Sequence, residues 1–76
     1  MMSIEQALAQ TPGGFKLTSF DGRNDSAVWE DRNGNTVVKF YEGYFARFNG
    51  EMSSNYDTIN EACAWLEKKK KWWGKS

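Results

Sequence analysis

A chain of 76 residues with ten basic and ten acidic side chains, no histidine, one cysteine and 16% aromatic residues makes a single domain with a thin core and no net field. At that size folding removes only roughly 60% of the surface that the unfolded chain exposes, and a lone Cys63 excludes an internal disulfide and any cysteine-rich zinc site. Without histidine, the commonest general base and metal ligand is missing and Ser/His or Cys/His nucleophile pairs cannot be built.

Stability must then come from packing, and four Trp, three Tyr and five Phe supply it. Each ring can bury on the order of 150 to 250 Å². No apolar run approaches the roughly 20 residues of a membrane span, and Met1 to Gln10 lacks the basic start and apolar stretch of a secretory signal. With the unpaired thiol, this predicts a cytoplasmic protein. Charge is uneven along the chain: residues 1–35 and 36–62 are each net minus two, and residues 63–76 are net plus four.

Ser3 and Gln6 have capping-box spacing, and Ile4, Ala7 and Leu8 form one apolar stripe, so the first element is a short helix over residues 3–10. Thr11-Pro12-Gly13-Gly14 ends it. From Phe15 the period becomes two, with Phe15, Leu17 and Ser19 on one side of a first strand and Lys16, Thr18 and Phe20 on the other. After a polar loop over 21–26, Ala27 to Arg32 reads as a second strand, with Trp29 and Asp31 opposite Val28 and Glu30. Asn33-Gly34 reads as a type I′ turn, and a third strand runs from Asn35 to Tyr41.

Gly43 interrupts the next β-rich run and marks either a tight turn at Glu42-Gly43, with Tyr44 to Phe48 pairing back, or a bulge in one long strand; the turn is the preferred reading. Asn49-Gly50 is a second type I′ candidate, followed by a ragged edge strand from Glu51 to Tyr56. Thr58 and Glu61 repeat the capping box, and Ile59, Ala62, Cys63, Leu66 and Trp73 form a helical stripe that Trp65 and Trp72 widen. Gly74 stops that helix. The predicted fold is α+β: a short N-terminal helix, an antiparallel meander of four or five strands, and a C-terminal helix packed on one face of the sheet.

Nothing follows the spacing of a phosphate-cradling loop, and Glu30 with Asp31 cannot share a site because strand neighbours face opposite sides. No catalytic site, cofactor or metal is implied. Cys63 falls within the apolar stripe, where a thiol behaves as a small hydrophobe. Two segments could carry binding. Phe40 and Phe48 read as core, whereas Tyr41, Tyr44 and Phe45, with Arg47, are residue types enriched in protein interfaces. Lys68, Lys69, Lys70, Lys71, Trp72, Trp73 and Lys75 combine charge with rings, which suits either a helix end that complements its own dipole or a single-strand nucleic-acid contact. Attachment to a membrane surface is a third use of such a segment, and the basic stretch is short for it.

Trp29, the polar turn Asn33-Gly34-Asn35, two further β-rich runs, Tyr56-Asp57-Thr58, Glu61-Ala62 and Trp65-Leu66 follow in an order that resembles the three-strand-plus-helix pattern of AP2-type and integrase arm-binding DNA domains. The resemblance covers about half the chain and implies a sheet that reads DNA with basic residues. Here the sheet bases are Arg32, Lys39 and Arg47 among several acids, so no DNA site is carried over. In size and style the chain resembles the compact proteins that phages and mobile elements encode to bind and block host factors. The expected function is a non-catalytic protein-binding module, an inhibitor or adaptor, with nucleic-acid binding through the Lys/Trp segment as the alternative and a second copy of the chain as a further partner.

Overall fold

The computed structural model describes residues 2–41 and 43–74, with side chains as far as Lys71. Its elements are α1 (Ile4–Ala9), β1 (Phe15–Asp21), β2 (Ser26–Asp31), β3 (Thr36–Phe40), β4 (Gly43–Phe48), β5 (Glu51–Met52) and α2 (Ile59–Gly74). The strands form one antiparallel sheet in the order β1-β2-β3-β4-β5, and α2 packs across β3 and β4. This is the α+β meander that the periodicities predict.

α1 starts with the full capping box: the Ser3 hydroxyl accepts from the Gln6 amide at 3.1 Å, and Gln6 Oε1 accepts from the Ser3 amide at 2.8 Å. Its apolar stripe, however, does not face the sheet. Only Ala7 is buried, while Ile4 and Leu8 are 53% and 56% exposed. The reason is the mode of contact, since the Ala7 carbonyl accepts the Trp29 indole N–H at 3.1 Å. The small Ala7 lies at the point of approach and the two larger side chains flank it toward solvent.

Cross-strand register sorts the sheet into two faces, because directly paired residues share a face. Leu17, Trp29, Val37 and Ala46 form one row of the inner face, and Phe20, Ala27, Lys39 and Tyr44 form another. A bulge at Thr18 shifts the β1 register between Leu17 and Ser19, so Phe20 joins Phe15 and Leu17 where simple alternation would place Ser19. The buried core consists of Met2, just before α1, and of Ala7, Ala27, Trp29, Val37, Ala46, Ala62 and Leu66, on the inner face or on the helices above it.

The turns follow local chemistry. Asn49 and Gly50 both have positive φ, +53° and +85°, as a type I′ turn requires. At the β2–β3 connection only Gly34 does, at +86°. There the Gly34 amide donates to the Asp31 carbonyl and the Asp31 amide to the Asn35 carbonyl, a three-residue loop closed by a left-handed glycine instead of a type I′ turn. The Asp31 carboxylate causes the change by accepting from the Asn33 and Asn35 amides at 2.8 and 2.9 Å. Between β3 and β4, Phe40 pairs with Gly43, so the chain does turn, one residue earlier than the Glu42-Gly43 reading, with Tyr41 at φ +56°. Glu42 itself lies outside the described residues.

β5 is shorter than the predicted 51–56 strand. After Met52 the Ser53 amide still donates to the Ala46 carbonyl, but the Ala46 amide donates to the Ser53 hydroxyl in place of a strand carbonyl, and the next backbone bridge is Tyr44–Tyr56. At the start of α2 the Thr58 hydroxyl accepts from the Glu61 amide at 3.3 Å and donates to the Glu61 carboxylate. Of the predicted stripe, Ala62 and Leu66 are fully buried and Ile59 and Cys63 half-buried. Trp72 and Trp73 continue the helix, but their side chains lie outside the described residues.

With Leu66 only 1% exposed, Leu66→Ala should lower stability by about 2–5 kcal/mol. Urea denaturation followed by tryptophan fluorescence checks this, and an unchanged midpoint would mean that the stripe does not face the core.

Candidate interaction surface

Both helices lie on the same side of the sheet. α1 reaches Trp29 through Ala7, Gln10 Oε1 accepts the Tyr44 hydroxyl at 2.9 Å, and the α2 lysines reach Asp31 and Glu51. The opposite, outer face carries three cross-strand rows: Lys16, Glu30, Thr36, Arg47 and Met52; Ser19, Val28, Val38 and Phe45; and Phe40 beside Gly43. Among the described residues no element covers it. Val28, Val38 and Phe45 belong neither to the buried core nor to the apolar residues packed on it.

The structure divides the predicted binding residues. Phe45 and Arg47 lie on the outer face, and Tyr41 stands 60% exposed in the turn at its edge. Tyr44 points to the inner face, where its hydroxyl meets Gln10 and its ring lies 5.8 Å from the Lys39 ammonium. Phe40, read as core, is 51% exposed and packs edge-on against Tyr41 with ring centroids 4.3 Å apart. Its outward position follows from the β3 pleat, since Val37 and Lys39 take the inner side. Sequence reasoning missed Val28, Val38, Glu30 and Met52 as members of this surface, because the face they occupy depends on pairing across four strands.

The basic run is partly neutralised. Lys69 pairs with Glu51 at 2.6 Å and lies 5.4 Å from the Trp65 ring centroid; Lys70 pairs with Asp31 at 3.1 Å and lies 5.7 Å from the Phe15 ring centroid. Their stems cover apolar surface while the ammonium groups meet acids on the sheet. Lys68 and Lys71 remain exposed. The Trp72 and Trp73 side chains and all of Lys75 lie outside the described residues. Among the sheet bases, Lys39 is buried and bound to Asp25 at 3.1 Å, and Arg32 lies in the β2–β3 turn.

A cleft of about 680 Å³ opens at the end of the sheet between the Asn33-Gly34 and Asn49-Gly50 turns, with Thr36, Arg47 and Lys70 in its lining. Asp31 stands behind it with both carboxylate oxygens saturated. Burial pushes the Asp31 carboxyl up, but the Asn35 amide, the Lys70 ammonium and the backbone N–H groups of Asn35 and Asn33 together hold it below its ordinary value of 3.8. Burial pushes the Cys63 thiol up, and Glu67 adds to the effect. A thiol in that state is a poor nucleophile. No group of three or more Cys, Asp or Glu side chains is placed to hold a metal among the described residues, and no described helix is long and apolar enough to cross a membrane.

No protein-family model, no curated protein and no solved structure matches this chain.

Asp31 titrates lower in the folded state than unfolded, so its stabilisation is present above pH 3.8 and is lost as pH falls through the folded-state value. Asp31→Asn should cost about 1–3 kcal/mol at neutral pH and flatten the acid limb of the stability curve. Thermal midpoints of both proteins across the acid range check it; parallel acid limbs would remove Asp31 as the titrating group.

Proposed function

We propose that this chain is a small non-catalytic protein-binding module, an inhibitor or adaptor working in the cytoplasm, whose contact surface is the outer face of the sheet. One observation carries the reading. Half-buried Val28, Val38 and Phe45 and exposed Phe40 and Tyr41 share a face or its rim that no described helix covers, in a chain with few apolar residues to spare. A contiguous apolar patch bordered by polar residues marks an interaction site. Arg47 stands at its border, and aromatic rings and arginine are the side chains that dominate binding energy at protein interfaces.

The absence of histidine and the full engagement of Asp31 favour binding over catalysis. Nucleic-acid binding through the C-terminal segment has less support. Two of its lysines are held by Glu51 and Asp31, and Lys39 is bound to Asp25 inside the fold.

Affinity capture from a nuclease-treated host extract tests the proposal. The partner should be recovered with the wild-type chain and with Lys68→Glu/Lys71→Glu, and lost with Phe45→Lys, whose fold is checked by circular dichroism. Recovery that survives Phe45→Lys would overturn the assignment. So would binding that vanishes on nuclease treatment or falls steeply with added salt, the signature of phosphate neutralisation.

A further inference from the structure

We infer that the occupant of the outer face is a second copy of this chain, packed sheet to sheet about a two-fold axis parallel to β3. The inference rests on the outer face being a docking surface, and it names the partner.

A two-fold interface is isologous, so every residue on the axis meets its own copy and every other residue meets one equally far from the axis on the other side. β3 is the middle strand of five. Its outward residues are Thr36, Val38 and Phe40, all uncharged, so none is repelled by its own copy. In the row through Thr36, Glu30 lies one strand to one side and Arg47 one strand to the other. At the ordinary strand spacing each is displaced about 4.8 Å to its own side of the axis, so the rotation brings Glu30 of each copy over Arg47 of the other. Two ion pairs result. The ends of the same row bring Lys16 over Met52, where a long alkyl stem lies on a thioether. In the next row Val28 meets Phe45 and Val38 meets Val38.

The direction of the axis is decided by charge. A two-fold at right angles to the strands through the same row would set Glu30 against Glu30 and Arg47 against Arg47. Among the described residues neither Glu30 nor Arg47 forms an ion pair within the chain. A chain with ten acids and ten bases also raises no long-range repulsion between copies. The eleven residues of these rows present roughly 360 Å² per copy at ordinary strand spacing and rise. The two copies together bury less than a standard-size specific interface, so the dimer should be weak and concentration-dependent.

Sedimentation equilibrium from about 1 μM to about 1 mM tests this directly. The wild-type chain should pass from monomer to dimer. Glu30→Arg and Arg47→Glu should each weaken the dimer tenfold or more, because each puts like charges together at both pairs. An equimolar mixture of the two variants should dimerise again, since one copy then offers two arginines to the two glutamates of the other. Restoration in the mixture also shows that neither variant has failed to fold. A wild-type monomer across the range, a dimer indifferent to both reversals, or a mixture no tighter than its components would overturn the inference. A monomeric wild type whose partner capture is lost with Phe45→Lys would assign the face to a different protein, whereas capture indifferent to Phe45→Lys would sink the docking surface itself.

Discussion

Trp29 is the side chain on which the rest of this small molecule depends. It lies on β2, one strand from the edge, fully buried, with Leu17 and Val37 beside it in register and Ala46 one strand further. Its indole N–H donates to the Ala7 carbonyl and to the Thr11 hydroxyl, both at 3.1 Å. One ring therefore supplies the largest buried volume and also the polar anchor that fixes the end of α1. A buried indole donor without a partner would cost about 1–3 kcal/mol, so the position of α1 and the burial of Trp29 require each other. A six-residue helix is too short to be stable alone, and this anchor is what gives it a fixed place.

That arrangement determines where apolar surface is left over. Trp29 faces inward, so α1 must come to the inner side, and Ala62 and Leu66 bring α2 to the same side. Lys69 and Lys70 then bind α2 to Glu51 and Asp31 at the two turns of one sheet end. Asp31 is the more consequential partner, because its carboxylate also shapes the β2–β3 turn through the Asn33 and Asn35 amides. Two of the four lysines in the run, Lys69 and Lys70, thus seat the helix. With both helices on one face, no element among the described residues covers the other.

Much of this architecture was legible in the sequence, where signals were local. The Ser3 and Thr58 caps, the Asn49-Gly50 turn and the Ala62-Leu66 stripe depend on residues within a few positions of each other, and each appears where its spacing places it. The departures involve partners distant in the chain, a competing side chain or a one-residue slip of register. Ile4 and Leu8 face solvent because Trp29, more than twenty residues away, sets how α1 is rotated. Asn33-Gly34 is not type I′ because a carboxylate two residues earlier captures the turn amides. Phe20 replaces Ser19 on the inner side because Thr18 bulges, and a single-residue slip is invisible to alternation counting. For the candidate surface, Phe45, Arg47 and Tyr41 were legible by residue type, but Glu30, Val28, Val38 and Met52 join them only through register.

The treatment of the sheet edges bears on how the outer face is to be understood. An exposed edge strand offers unpaired backbone groups to any other strand, and proteins commonly blunt it with bulges, charges or short length. Both edges here carry such devices. β1 has the bulge at Thr18, whose hydroxyl donates to the Val28 carbonyl, and a lysine at position 16. β5 lasts two residues, after which the Ser53 hydroxyl takes the place of a strand acceptor for Ala46. On the outer face the charges are confined to the row of Lys16, Glu30 and Arg47, whereas a charge at position 28, 38 or 45 would keep the apolar row wet and would disturb no residue of the buried core. Edges that obstruct pairing, beside valines and a phenylalanine on a face that no described element covers, favour the proposed association normal to the sheet. Contacts in that direction would be read by side chains, so their specificity would lie in the placement of Glu30, Arg47 and the apolar rows and not in backbone hydrogen bonding.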